Sequence, residues 1–347
     1  MKSSPPYRGL HTVAQAAGVA PITVSRVLRN SKHVAPSTRE KVQRVLKQIG
    51  YRPDPQITHL MARVRSYRQH RVESVIAVVR DDIPEHTHHD VYQFVSTCDI
   101  RNRAERYGYR VEEFFLGSGG VSAQRLVGIL KTRGIEGLIV SPQSSSNFGA
   151  MLDYSHFAAA TIGYGLQGPT LHRAGTNMTR GIMQSAAELV ARGYKRIGLA
   201  ITQWSDARSD QTYSGAMLNF QRILPPRQRI PLLLFQKNNL SQEASTFCQW
   251  VRKYQPDAII SFNTYIPDWL TQRLGLRIPD DIGLVVHDWG EHMTGFAGIH
   301  HRRQHVAAAL VDLIATQLSQ NERGVPEAPR QILIPPIWID GPSIRPR

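Results

Sequence analysis

Apolar positions in the first fifty residues recur at helical spacing. Leu10, Val13, Ala14 and Ala17 fall on one face of a short helix, with Gly9 placed to cap its start and Gly18 placed to turn the chain sharply. A second helix reads from Pro21 to Leu28. Its proline stands at the first helical position, where the missing N–H costs nothing, and Val24, Val27 and Leu28 face inward. A third runs from Pro36, buries Val42, Val45, Leu46 and Ile49, and ends at Gly50 as the residue after the C-cap. Two short helices across a tight turn, followed by a third, predict a helix-turn-helix head.

From Val75 the pattern changes. Short apolar runs (SVIAVV, EGLIVS, AAATIG, RIGLAI, PLLLF, DAIISF and GLVVHD) alternate with amphipathic stretches near 91–107, 122–133, 179–192, 211–224, 241–254 and 304–320. That alternation predicts an α/β body with a mostly parallel sheet. There is no Walker loop, and GSGG at 117–120 lies outside a clean strand-to-helix context, so a nucleotide fingerprint is unsupported.

Charge alters the picture through its location. Of a net +15, residues 1–71 carry +12, from 14 Lys and Arg against Glu40 and Asp54; the other 276 residues carry +3. A field gathered on about one fifth of the chain suits a phosphate backbone as partner, and the helical periodicity argues against a merely solubilising tail. The two cysteines, Cys98 and Cys248, lack metal or redox spacing and are expected as buried thiols in a reducing compartment. With no apolar leader and no membrane-length apolar run, a cytoplasmic protein is expected.

The run VAQAAGVAPITVSRVLRNSKHVAPSTREKVQRVLKQIGYRPD, residues 13–54, resembles the head of the lactose-repressor family along its whole length, most specifically in TVSRVL, VxPxTREKV and GYxP. The resemblance implies an all-α helix-turn-helix head (1–52), a hinge helix or linker (53–72) and an α/β two-lobed, periplasmic-binding-protein-like body (73–347). Lobe 1 is expected at about 73–172 and 304–330, and lobe 2 at about 173–303 and 331–347. It further implies a DNA-binding transcription regulator, expected to repress, acting as a homodimer on a near-palindromic double-stranded operator.

In that docking geometry the second helix enters the major groove. Arg26 is the expected base reader, because a guanidinium fork matches guanine O6 and N7. Thr23, Ser25, Arg29, His33 and Tyr51 are expected on phosphates. Ala20, Pro21 and Ile22 open the helix where many relatives carry polar groups, so Ile22 offers only apolar contact, for example to a thymine methyl. Leu60 aligns with a leucine that wedges into the minor groove, while Ile57 and Thr58 depart from the hinge pattern.

Ligands in such bodies bind beyond the carboxyl ends of strands, between lobes. The expected effector contacts are Trp204, Arg208, Asn263, Asp288 and Trp289, with Gln203 and Thr264 nearby, a set that suits a sugar or sugar derivative. The usual clamp is incomplete: Asn177 and Met178 replace an Asp-Asn pair, and Thr212 replaces an arginine ahead of Gly215. Asp288 is also readable as a lobe-bridging carboxylate, and a constitutive regulator without effector remains the alternative. His86, His88, His89, His300, His301 and His305 form no HExxH or paired-carboxylate pattern, so neither an enzyme, a cofactor nor a metal site is expected. The C-terminus lacks heptads, which leaves a dimer rather than a tetramer.

Overall fold

A computed structural model describes residues 10–28, 34–51, 74–80, 95–117, 120–141, 148–236 and 240–347. The positions Arg29, His33, Ile57, Thr58, Leu60, His86, His88 and His89, the N-cap Gly9 and the hinge at 53–72 lie outside the described residues.

The head holds α1 (Leu10–Ala17), α2 (Pro21–Leu28) and α3 (Pro36–Ile49). Gly18 takes φ +61° between the first two, where Val19 N–H returns to Ala14 O at 3.0 Å. Gly50 adopts φ +66° at the end of α3, and Tyr51 N–H donates to Leu46 O at 3.1 Å, so both glycines stand where a Cβ is disfavoured. Val13, Ala14, Ala17, Val24, Val27, Val34 and Val42 form the core; Val45, Leu46 and Ile49 pack half-buried at its edge. Leu28, expected inside, is exposed: it lies i+4 from Val24 on the same face, but it is the last residue of α2, where the head core ends.

The body contains two six-stranded sheets. The first is built from β1 (Ser74–Arg80), β2 (Tyr109–Phe115), β3 (Gly137–Ser141), β4 (Ala158–Ile162), β5 (His172–Thr176) and β11 (Gln331–Ile334), in the order β11-β5-β4-β3-β1-β2, all parallel. The second is built from β6 (Ile197–Thr202), β7 (Leu233–Phe235), β8 (Ala258–Ser261), β9 (Gly283–Val286), β10 (Ala297–His300) and β12 (Ile337–Ile339), in the order β12-β10-β9-β8-β6-β7, parallel except for β12.

Helices cover both faces of each sheet, as parallel pairing demands. In the first, Ile76, Val78 and Ile139 face α4 (Thr97–Ala104) and α11 (Arg303–Gln320), while Ala77, Val79 and Leu138 face α5 (Ala123–Thr132). In the second, Leu199, Ile201 and Ile260 face α6 (Met178–Ala191) and α8 (Thr212–Gln221), while Ala200 and Ile259 face α9 (Leu240–Tyr254) and the turn at α10 (Ile266–Asp268). A short α7 (Gln203–Arg208) follows β6 directly.

Three chain crossings join the sheets: β5 into α6, β10 into α11, and β11 into β12. They run side by side. Thr176 Oγ1 donates to His301 O at 3.1 Å, and Asn177 N–H donates to Ile334 O at 2.9 Å. Because β5 and β11 belong to the first sheet, the chain leaves that sheet after Thr176 and again after Ile334, later than the anticipated borders at 172 and 330. Both strands are short and carry polar residues, so their apolar signal is weak. Cys248 is buried in the second sheet's core, but Cys98 is exposed, contrary to expectation. No helix among the described residues is long and apolar enough to cross a membrane.

Leu310 lies wholly buried where α11 meets the first sheet. Leu310→Ala should destabilise the body by about 2–5 kcal/mol, read as a lower denaturant midpoint.

Candidate functional site

The head divides α2 into two faces. Val24 and Val27 are sealed in the core, whereas Ala20, Pro21, Ile22 and Arg26 are exposed and Thr23 and Ser25 half-buried. Ile22, at 53% exposure, is an apolar side chain the fold does not need for its own packing. Tyr51 packs half-buried on the head core, so it has a structural role beside any phosphate contact.

In the body a cleft lies between the carboxyl ends of the two sheets, with about 710 Å³ of space counted to its open mouth. The first sheet supplies Ser141 from the end of β3, Ile162 from the end of β4 with Gly163 to Gly165 after it, and Gly175 and Thr176 from β5. The second lobe supplies Met178, Trp204, Ser205, Arg208, Ser209 and Tyr213. Thr202 caps α7 by accepting from Ser205 N–H at 3.0 Å. Trp204 and Arg208, one turn apart, then meet, the guanidinium carbon 4.5 Å from the ring centroid. The same guanidinium reaches the opposite wall: a Cβ on Gly165 would stand 2.6 Å from Nη2. Glycine at 165 therefore lets an arginine of one lobe touch the backbone of the other.

The turn after α7 is held by Asp206, buried, whose Oδ1 accepts from Ser214 N–H at 3.0 Å. Asp210 and Gln211 sit there at φ +57° and +56°, a conformation that costs each of order 1–3 kcal/mol. The turn delivers Tyr213 to the cleft wall, where its hydroxyl donates to Met178 Sδ at 3.2 Å and burial pushes its acidity far out of the neutral range.

Of the five expected effector residues, Trp204 and Arg208 line the cleft. Asn263, Asp288 and Trp289 are not part of its lining; each is engaged nearby. Asn263 Oδ1 accepts from Tyr265 N–H at 2.8 Å, closing the turn after β8. Trp289 Nε1–H donates to Phe296 O at 3.0 Å, tying β9 to β10. Asp288 pairs with Arg303 at the start of α11, and so braces the second crossing. Gln203 and Thr264 are exposed. The sequence reading passed over Tyr164, Thr176, Ser209 and Tyr213, although the first two sit at strand ends where the rule for such sheets looks. No group of three His, Cys, Asp or Glu among the described residues could hold a metal ion.

A family profile described as "Bacterial regulatory proteins, lacI family" matches residues 9–54. The chain is 21% identical over 286 residues to the HTH-type transcriptional regulator DegA of Bacillus subtilis (strain 168), covering 80% of this chain and 81% of that one. Among solved structures it resembles the lac repressor dimer bound to operator and the anti-inducer ONPF, with a TM-score of 0.56 and 21% identity over 96% of this chain and 98% of that one. It also resembles a complex of the transcriptional regulator CelR with cellobiose, with a TM-score of 0.56 and 17% identity over 96% and 99%. The head, residues 9–54, thus matches the lacI family, and the whole chain resembles regulators of that family.

In this chain with its lacI-type head, the crossing behind the cleft carries two buried imidazoles. His287 and His301 are 0% and 1% exposed, with ring centroids 5.4 Å apart. Tyr213 and Phe262 pack edge-on against His287, and neither of its ring nitrogens has a hydrogen-bond partner. Burial, reinforced by His301, holds His287 well below the ordinary histidine range. Burial brings His301 down to about 4, against the attraction of Asp288. Both are therefore neutral in the folded protein at neutral pH.

Two outcomes follow from these environments. Ile22→Ala should leave head stability within about 0.5 kcal/mol while weakening DNA binding, and Val24→Ala should cost about 0.5–3 kcal/mol in thermal unfolding. For the imidazoles the folded pKa lies below the unfolded one, so protons bind preferentially to the unfolded chain. Stability is complete above about pH 6.5 and is lost as pH falls toward about 4. Denaturant melts between about pH 6 and pH 5 should show a slope shallower by about one proton, or about 1.4 kcal/mol per pH unit, in His287→Leu than in wild type.

Proposed function

We propose that this chain is a sequence-specific transcription regulator, a repressor, that binds a near-palindromic operator as a homodimer and is tuned by a small polar ligand, a sugar or sugar derivative, in the cleft. Residues 1–52 serve as the DNA head, 53–72 as the hinge and 73–347 as the sensing and dimerising body. The observation that carries this reading is the division of α2, whose inner face is consumed by the head core while Ile22 and Arg26 stand free toward solvent. A helix so divided presents one side chain for apolar contact and one fork for a guanine edge. Thr23, Ser25, Arg29, His33 and Tyr51 fix register on phosphates, and Leu60 wedges the minor groove in the family manner.

The cleft supports the second half of the reading. It draws walls from both lobes and offers an indole face and several hydroxyls, as a polyol ligand requires. One structural neighbour carries operator and an anti-inducer, and another carries cellobiose. Asp288, Asn263 and Trp289 act behind the wall, through the ion pair to Arg303 and the turns they close. Ligand shifts DNA affinity by its preference between lobe arrangements, worth about 1–3 kcal/mol in such systems.

Operator selected from a random pool should prove near-palindromic, with affinity that falls steeply with salt. Arg26→Ala should lose about 1–3 kcal/mol on that operator and relax preference at one base pair per half-site. Equal losses on operator and random DNA would remove its base-reading role. Trp204→Ala should weaken ligand binding without changing operator affinity in ligand-free solution, measured by anisotropy of labelled operator. A Trp204→Ala protein that still responds fully to ligand would place the effector elsewhere.

A further inference from the structure

The charge of the cleft narrows its ligand. Arg208 is the charged side chain on the lining among the described residues, and that lining contains no carboxylate. The two acids of the second lobe that bear on the lining residue Tyr213 are already engaged. Asp206 is 4% exposed and turned back to Ser214 N–H, and Asp288 is paired with Arg303. A neutral polyol is ordinarily gripped by carboxylates that accept from its hydroxyls; here the strong acceptor is absent and a strong donor takes its place.

The donor is also well positioned. Trp204 holds the guanidinium carbon 4.5 Å from its ring centroid, and the missing Cβ of Gly165 lets it span the cleft, so a group bound to it touches both lobes. Ser141 and Ser205 add hydroxyls on opposite walls, while Ile162, Met178 and the Trp204 ring supply an apolar surface for a ring face. We propose that the ligand of this cleft is a small hydroxylated molecule bearing one oxyanion, a carboxylate or a phosphate, which is received by Arg208. The proposal rests on the reading of the cleft as the effector site and names the chemical class that fits it.

The chemistry predicts a specific preference. A charge-assisted, forked contact to guanidinium in a half-enclosed site is worth on the order of a tenfold to hundredfold gain in affinity over the same molecule without its charge. Lysine at the same place keeps the charge but loses the fork and the stacking on Trp204.

The test is calorimetric titration of the full-length protein with three neutral sugars, glucose, galactose and ribose, each beside its matched sugar acid and sugar monophosphate, at two salt concentrations. At least one acid or phosphate should bind about tenfold or more tightly than its neutral parent. That preference should vanish in Arg208→Gln and survive in part in Arg208→Lys, with both variants melting as wild type does. Whether the acid or the phosphate wins identifies the oxyanion. A neutral sugar that binds as tightly as its anions overturns the proposal but leaves the effector reading standing. So does an anion preference that persists in Arg208→Gln, which assigns it to the basic head. If no compound in the panel binds, the effector reading itself falls, and this proposal with it.

Discussion

Parallel strand pairing is the constraint on which the body depends. Parallel neighbours cannot be joined by a tight turn, so each strand must be followed by a return across a sheet face, and all carboxyl ends collect on one edge. In both sheets that edge faces the same cleft, which is why Ser141, Ile162 and Thr176 from three different strands meet Trp204 from the helix that follows a fourth. Of the helices that make the returns, α4, α5 and α9 bury Ile100, Leu126 and Phe247 away from the cleft, whereas α6, α7 and α8 bring Met178, Trp204, Arg208 and Tyr213 to it. The site is a by-product of topology, specified by the residues that end the strands and open the helices after them.

Much of this was readable because local physics decides it. The head pattern worked at Val13, Ala14, Ala17, Val24 and Val27, since a three-helix core is small and each helix offers it one narrow stripe. Leu28 misled because periodicity places it on the stripe but does not report that the core gives out at the last residue of α2. Central strands announced themselves as continuous apolar runs, being covered on both faces: β3 and β4 are buried at every position. β2, with Glu112 and Glu113, and β5, with His172 and Arg173, gave no such signal. The first is an edge strand, and the second lies beside the short β11, so polar side chains are tolerated on both.

The effector residues were only partly legible for a different reason. Position after a strand end selects Trp204 and Asp288 equally, yet the first faces the cleft and the second meets Arg303 at the start of α11. That pairing joins residues on either side of a crossing, and no periodicity reports it. Tyr213 reaches the cleft by way of the left-handed turn at Asp210 and Gln211, of which only the aspartate is a type enriched in that backbone, and two such residues in succession have no sequence signature. Arg208 could be suspected from its type, but its approach to Gly165 depends on the spacing between lobes.

The threefold crossing bears on how such a chain is made. Translation delivers β5 by Thr176, but α11, which covers one face of the first sheet with Val306, Leu310 and Ile314, begins only at Arg303, and the edge strand β11 follows at Gln331. A nascent chain therefore carries a half-dressed first sheet through synthesis of nearly the whole second lobe, with an apolar face uncovered on the ribosome. Domains that close with their last residues are the ones most exposed to premature association. For this protein the vulnerable interval is the emergence of residues 177–302, the stretch in which holding chaperones have most to protect.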